Sequence, residues 1–132
     1  MGQDRPAVLV IDDDPDIRLS VAMFMEIEGL PTDTVSDGQK ALDYLRKNPP
    51  PGVILLDLVM PGMNGWDFLV AQRNDANLSS IPVLIYSGVS PLKDLSPFPA
   101  VREIFVKPVD PKNLVIRVRE YCGLLPRPEE RS

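Results

Sequence analysis

The stretch VLVIDDDPD, residues 8–16, places four apolar residues directly before three consecutive aspartates. A short apolar run bounded by turn-forming residues is typical of a strand that is buried on both faces of a parallel sheet. Asp14 and Pro15 then predict a helix start, since aspartate caps helix N-termini and proline is tolerated at the first helical position. The stretch therefore predicts a strand, an acidic turn and a helix, as at the beginning of an α/β fold.

The same alternation of apolar runs and helical patterns continues along the chain. Strands are predicted at 7–11, 52–56, 81–86 and 103–106, with a weaker edge strand at 31–36. Helices are predicted at 14–29, 37–48, 64–75 and 110–123. This order predicts a doubly wound parallel sheet with helices on both faces. Three prolines within 88–102 predict that a fourth helix, placed before the last strand, is shortened or irregular.

Composition excludes several classes of function. The chain has 132 residues, 44% of them hydrophobic, which suits one domain with a real core. It has no histidine, which excludes Ser-His and Cys-His catalysis and removes the commonest zinc ligand. A net charge of -5 argues against direct nucleic-acid binding, and no apolar run is long enough for membrane insertion. The single cysteine, Cys122, fits a reducing compartment, so we expect a cytoplasmic protein.

Polar side chains follow four of the five predicted strands. Asp12 and Asp13 follow the first strand, Asp57 the third, Ser87 the fourth and Lys107 the fifth. The carboxyl ends of parallel strands meet at one edge of a sheet, where ligands bind in open α/β folds. Converging carboxylates repel each other unless a cation is bound, and oxygen ligands favour Mg²⁺ or Mn²⁺.

These residue types suit phosphoryl transfer. An aspartate can act as a nucleophile and form an aspartyl-phosphate, and Asp57 follows the middle strand. Lys107 and Ser87 would hold the phosphoryl oxygens together with the metal. Asp14 has a simpler role as the cap of the first helix, whose N-terminus favours negative charge. The three aspartates thus divide into two metal-site residues and one cap.

Four motifs occur in a specific order, namely VIDDDP (10–15), LLDLVMPGMNG (55–65), IYSG (85–88) and FVKP (105–108). Together they resemble the receiver domain of two-component response regulators, over residues 6–123. The resemblance implies a flavodoxin-like five-stranded sheet with strand order 2-1-3-4-5. Residues 124–132 are predicted to form a disordered polar tail.

The resemblance also implies a role for each residue at the predicted edge. Asp57 would be the phosphoacceptor, Asp12 and Asp13 metal ligands directly or through water, the Val59 carbonyl a further ligand, Ser87 the switch hydroxyl and Lys107 the phosphate contact. Lys107–Pro108 would be a cis peptide.

The resemblance further implies partners. The phosphoryl group would come from a histidine kinase or a histidine phosphotransfer protein in an Mg²⁺-dependent reaction. Such a protein is not an enzyme, since it catalyses only its own phosphorylation and dephosphorylation. Its signal would pass to an output protein that the sequence does not identify.

One position departs from the family pattern. Most receivers have an aromatic residue three positions before the lysine, whereas this chain has Ile104 there and Phe105 next to it. An alternative is therefore a pseudo-receiver that binds proteins independently of phosphorylation. A third reading, a small metal-dependent phosphohydrolase, is disfavoured because no second carboxylate closely follows Asp57.

The residues two positions after Asp57 and Ser87 predict a long-lived phosphoryl group. They are Val59 and Val89, whose apolar side chains offer no group to orient an attacking water. We expect Asp57-phosphate to decay slowly, and Val59→Asn to shorten its lifetime. Loss of the phosphorylated mass with time measures both. A short lifetime in the wild type that is unchanged by Val59→Asn would contradict this expectation.

Overall fold

Five parallel strands form a single sheet in the order β2-β1-β3-β4-β5 in the computed structural model, which describes residues 6–58, 64–88 and 95–123. The strands are β1 (Val8–Ile11), β2 (Thr32–Val35), β3 (Val53–Leu56), β4 (Val83–Ser87) and β5 (Val101–Val106). The helices are α1 (Pro15–Ile27), α2 (Gly38–Lys47), α3 (Gly65–Arg73) and α4 (Pro111–Tyr121). The predicted fold class and strand order are confirmed.

Side-chain alternation along the strands divides the core into two clusters. One face of the sheet packs against α2 and α3, and its strand residues are Leu9, Ile11, Ile54, Leu56, Val83 and Ile85. The other face packs against α1 and α4, through Val8, Val10, Val53, Leu55, Leu84 and Tyr86. Strands β1, β3 and β4 are buried throughout, which explains their continuous apolar sequences. Strand β2 lies at the edge, as predicted.

Each described helix begins at a polar cap. The side chains of Asp14, Asp37, Asn64 and Asp110 accept hydrogen bonds from backbone N–H groups in the first turns of α1, α2, α3 and α4. Asp14 accepts from Asp16 at 2.9 Å and from Ile17 at 3.3 Å, so its predicted role as a cap is confirmed. After α1, Gly29 adopts φ +84°, a conformation that favours glycine and ends the helix.

Two details of the sequence-based prediction were wrong. Strand β5 begins at Val101 and not at 103, because Val101 pairs with Val83 and Glu103 with the next residue, so that Arg102 is the extra residue of a β-bulge. The helical spacing within 64–75 predicts that Trp66, Leu69 and Val70 share the buried face of α3, but Val70 is exposed. The buried positions of α3 are instead Gly65, Phe68, Leu69 and Gln72, at helical spacing.

The irregular fourth helix and the tail fall largely outside the described part of the chain. Residues 95–100 form turns before β5, while 89–94 and 124–132 are not described. Among the described residues, the longest helix is α1 with 13 residues, and none is long and apolar enough to cross a membrane.

Candidate functional site

The predicted edge residues converge on one pocket. Asp12 follows β1, Asp57 follows β3, Ser87 ends β4 and Lys107 follows β5. All four line a cavity of about 410 Å³ whose lining also includes Asp13. The predicted proximity of these side chains is therefore confirmed by the geometry. Val59, the other predicted ligand, lies outside the described residues.

Three carboxylates at the pocket are close enough to share a cation. One carboxylate oxygen from each of Asp12, Asp13 and Asp57 lies within 4.8 Å of the others. Asp12 is only 1% exposed and Asp57 7%, whereas Asp13 is exposed to solvent. Buried like charges at this separation are unfavourable unless they are neutralised. An all-oxygen set open to water on one side fits a hard divalent cation such as Mg²⁺.

Lys107 supplies part of the compensating charge. Its Nζ lies 3.3 Å from Asp12 Oδ2 and 3.7 Å from Asp57 Oδ2, with the side chain largely buried. Its backbone N–H donates to the Ser87 carbonyl at 2.7 Å, which ties the end of β5 to the end of β4. The predicted cis peptide between Lys107 and Pro108 is present. With Asp14 assigned to the helix cap, three carboxylates face one ammonium in the described lining, a deficit that a divalent cation would balance.

The turn between β1 and α1 fixes Asp12 from several directions. Asp12 Oδ1 accepts the backbone N–H of Asp14 at 2.9 Å, which leaves Oδ2 directed at Lys107. Arg18, one turn into α1, donates from Nη1 to the Asp12 carbonyl at 2.8 Å. Arg18 was not predicted as part of the site. The only signal in the sequence is its position one turn after the helix cap.

The start of α3 packs directly against the backbone at Asp57. A Cβ added to Gly65 would lie 2.5 Å from the Leu58 Cα and 2.7 Å from the Asp57 carbonyl oxygen. The Gly65 N–H donates to the Leu58 carbonyl at 3.0 Å. Glycine is therefore required here so that the helix can approach the strand end closely.

Tyr86 is a second neighbour of the site that the sequence did not indicate. Lys107 Nζ lies over its ring, 4.4 Å from the centroid. Burial and the negative charges of Asp12, Asp57 and Asp14 raise the pKa of Tyr86 to about 12. The phenol is therefore neutral at physiological pH and adds no charge to the pocket.

Ile104, the departure from the family pattern, lies on the side of the sheet that packs against α2 and α3. It pairs with Ile85 of β4 but is 46% exposed. No helix covers it among the described residues, and a groove lined by Leu95 and Phe98 runs beside it.

Comparison with protein families gives a match over most of the chain. A family model described as "Response regulator receiver domain" matches residues 8–119. Among curated proteins, the DNA-binding response regulator MtrA of Mycolicibacterium smegmatis is 35% identical over 121 residues, or 90% of this chain and 51% of that protein. Response regulator Rre1 of Synechocystis is 32% identical over 89% of this chain and 52% of its own length. The chain thus spans about half the length of these relatives.

Solved structures show the same fold. The receiver domain of Francisella response regulator 1452 is 29% identical with a TM-score of 0.78, covering 90% of this chain and 98% of that one. A CheY-like receiver domain protein from Methanospirillum hungatei is 28% identical with a TM-score of 0.77, covering 88% and 93%.

Proposed function

Because the chain belongs to the response regulator receiver domain family, we propose that it accepts a phosphoryl group on Asp57 in a metal-dependent reaction. The observation that carries this proposal is the placement of Lys107 Nζ between the buried carboxylates of Asp12 and Asp57. A fixed cation beside a carboxylate nucleophile is what transfer of a charged phosphoryl group requires. We take the receiver unit to span residues 6–123, with the family match at 8–119 lying within it.

Each residue of the site has a separate role in the phosphoryl transfer. An Asp57 oxygen attacks phosphorus, a P–O bond forms, the P–N bond of a donor phosphohistidine breaks, and the imidazole takes up a proton. Lys107 and the Ser87 hydroxyl contact phosphoryl oxygens as the group arrives. Asp12, Asp13 and Asp57, with the Val59 carbonyl, would hold Mg²⁺ or Mn²⁺, which supplies positive charge to the phosphoryl oxygens when bound.

The donor phosphohistidine lies outside these 132 residues, since they contain no histidine. A histidine kinase or histidine phosphotransfer protein fits the family. The outer surface of α1, directly after the acidic turn, exposes the apolar side chains of Leu19, Met23 and Ile27 at four-residue spacing. Exposed apolar residues grouped beside a reactive site favour a protein partner.

The family match does not identify the molecule to which this chain passes its signal. Its relatives include proteins named DNA-binding response regulators, and this chain matches about half of their length. The expectation that this chain itself binds no nucleic acid therefore stays a prediction from its net charge of -5. No observation favours the binding-module alternative, and the shared pocket lining of Asp12, Asp13, Asp57, Ser87 and Lys107 supports the phosphoacceptor proposal.

Intact-protein mass spectrometry tests the proposal. We expect wild-type protein incubated with acetyl phosphate and Mg²⁺ to gain one phosphoryl group, and to gain none when EDTA replaces Mg²⁺. Asp57→Asn is expected to abolish the gain, because an amide is not a competent nucleophile for stable acyl-phosphate formation. Asp67→Asn, which removes an exposed carboxylate in the first turn of α3, is the matched control and is expected to react like the wild type.

Two results would contradict the proposal that Asp57 is the phosphoacceptor. If folded wild-type protein gains no phosphoryl group under any of these conditions, the phosphoacceptor proposal is wrong. A gain that persists in Asp57→Asn would move the acceptor to another residue.

A further inference from the structure

We propose that Tyr86 is a positioning residue that holds the Lys107 ammonium over its aromatic ring and so directs it at Asp57. One consequence of this proposal, slower phosphorylation when the ring is removed, rests on the proposed function. Its structural content, the location of Lys107, can be measured independently of that function. Nothing in the family match or in the four motifs assigns a role to this tyrosine.

The register of the last two strands places the ring beneath the lysine. Tyr86 pairs with Phe105 across β4 and β5. Lys107 lies two residues beyond Phe105, and side chains two residues apart in an extended chain point to the same side. Lys107 follows directly after β5, and its Nζ lies over the Tyr86 ring while also reaching the carboxylates of Asp12 and Asp57.

The ring is buried beside α1 and α4 and borders a cavity of about 300 Å³. Tyr86 is only 7% exposed and belongs to the core cluster shared with α1 and α4. Leu114 of α4 and Phe24 of α1 line the cavity on its far side. A lysine side chain has four rotatable bonds and is mobile without fixed contacts. A buried ring 4.4 Å from Nζ restricts that freedom and shields one side of the ammonium from water.

Three attractive contacts then fix one location for the charge. Asp12 Oδ2 lies at 3.3 Å, Asp57 Oδ2 at 3.7 Å, and the negative face of the ring on a third side. When Asp57 becomes phosphorylated or binds a metal, its own attraction for Nζ changes. The attraction between the ring face and the ammonium does not depend on the charge at Asp57, so it is still available after that event. Tyr86 thus keeps the ammonium beside the phosphoryl oxygens throughout the reaction.

A purely structural role for Tyr86 as core filler makes different predictions. If Tyr86 only filled the core, any large apolar side chain at position 86 would give the same phosphorylation rate. Removing the ring would then lower that rate equally with or without Lys107. The positioning role requires an aromatic face and requires the lysine. The two are separated by Tyr86→Phe, which keeps the face, by Tyr86→Leu, which removes it, and by combining Tyr86→Leu with Lys107→Met.

The first measurement is the rate of Asp57 phosphorylation by acetyl phosphate at saturating Mg²⁺. Tyr86→Leu is expected to lower the rate constant about tenfold, as a partly desolvated cation–π contact allows. Tyr86→Phe is expected to stay within about twofold of the wild type, since the ring face is retained. In a Lys107→Met background, Tyr86→Leu is expected to have almost no further effect. Tyr86→Met provides a second ring-free variant if Tyr86→Leu does not fold.

The second measurement is the NMR chemical shift of the Lys107 Hε protons, which needs no phosphorylation. Protons over a ring face are shifted upfield, and we expect this shift in the wild type and Tyr86→Phe but not in Tyr86→Leu. An unshifted wild-type signal would overturn the inference. It would also be overturned by an unchanged rate in Tyr86→Leu, or by an equal loss in the Lys107→Met background. An upfield shift in a wild type that is never phosphorylated would leave the positioning intact and reject only the proposed function.

Discussion

Lys107→Met is expected to slow the phosphorylation of Asp57 about 100-fold while leaving the protein folded. Methionine keeps most of the length and apolar contact of the lysine but removes the ammonium that lies 3.3 Å from Asp12 and 3.7 Å from Asp57. Removing one preorganised group that stabilises transition-state charge commonly costs about 10²–10³ in rate. The first-order rate constant with acetyl phosphate and Mg²⁺, followed by intact mass, measures the effect.

Lys107→Met is also expected to strengthen the binding of a divalent cation. Without the ammonium, three carboxylates remain within 4.8 Å of one another and attract a divalent cation more strongly. The rise in melting temperature on adding Mg²⁺ should therefore be larger in Lys107→Met than in the wild type. Lys47→Met, which removes the same charge in the exposed last turn of α2, is the control for net charge. Equal phosphorylation rates in Lys107→Met and the wild type would contradict the assigned role of the lysine.

Gly65→Ala is expected to destabilise the protein strongly. The added Cβ would lie 2.5 Å from the Leu58 Cα and 2.7 Å from the Asp57 carbonyl, and both contacts are with backbone. Relief requires α3 to move away from the end of β3, which opens the core at Phe68 and Leu69. We expect a fall in the free energy of unfolding of about 3 kcal/mol, the size of a serious steric substitution in a core. Urea unfolding followed by circular dichroism measures it.

Gly88→Ala is the matched control for this substitution. Gly88 also lies at the pocket, but a Cβ added there meets no atom within 4 Å among the described residues. We expect its unfolding free energy to stay within about 0.5 kcal/mol of the wild type. If Gly65→Ala is as stable as Gly88→Ala, that result contradicts the close approach of α3 to Asp57 seen in the structure.

The sequence predicted those features that depend on local pattern. The apolar run at 8–11 and the Asp14-Pro15 pair are each sufficient to place a strand and a helix start, because burial and capping act over a few residues. The convergence of Asp12, Asp57, Ser87 and Lys107 also followed from sequence, since parallel strands bring their carboxyl ends to one edge. These predictions are confirmed by the strand order and by the lining of the pocket.

What the sequence did not show depends on contacts between distant segments. The bulge at Arg102 arises from pairing with β4, so the pattern of β5 alone gave a start two residues too late. The need for Gly65 comes from the approach of α3 to Leu58, and the role of Tyr86 from the path of Lys107 across its ring. In each case the residue type is compatible with several environments, and only the packing selects one.

Identifying the residue that carries the phosphoryl group tests the phosphoacceptor role of Asp57 most directly. Borohydride reduces an aspartyl-phosphate to homoserine, so treating the phosphorylated protein and sequencing its peptides by mass spectrometry marks the acceptor. We expect homoserine at position 57 in protein phosphorylated with Mg²⁺, and aspartate there when the metal is withheld. Homoserine at position 12 or 13, or none in folded protein given donor and metal, would contradict it.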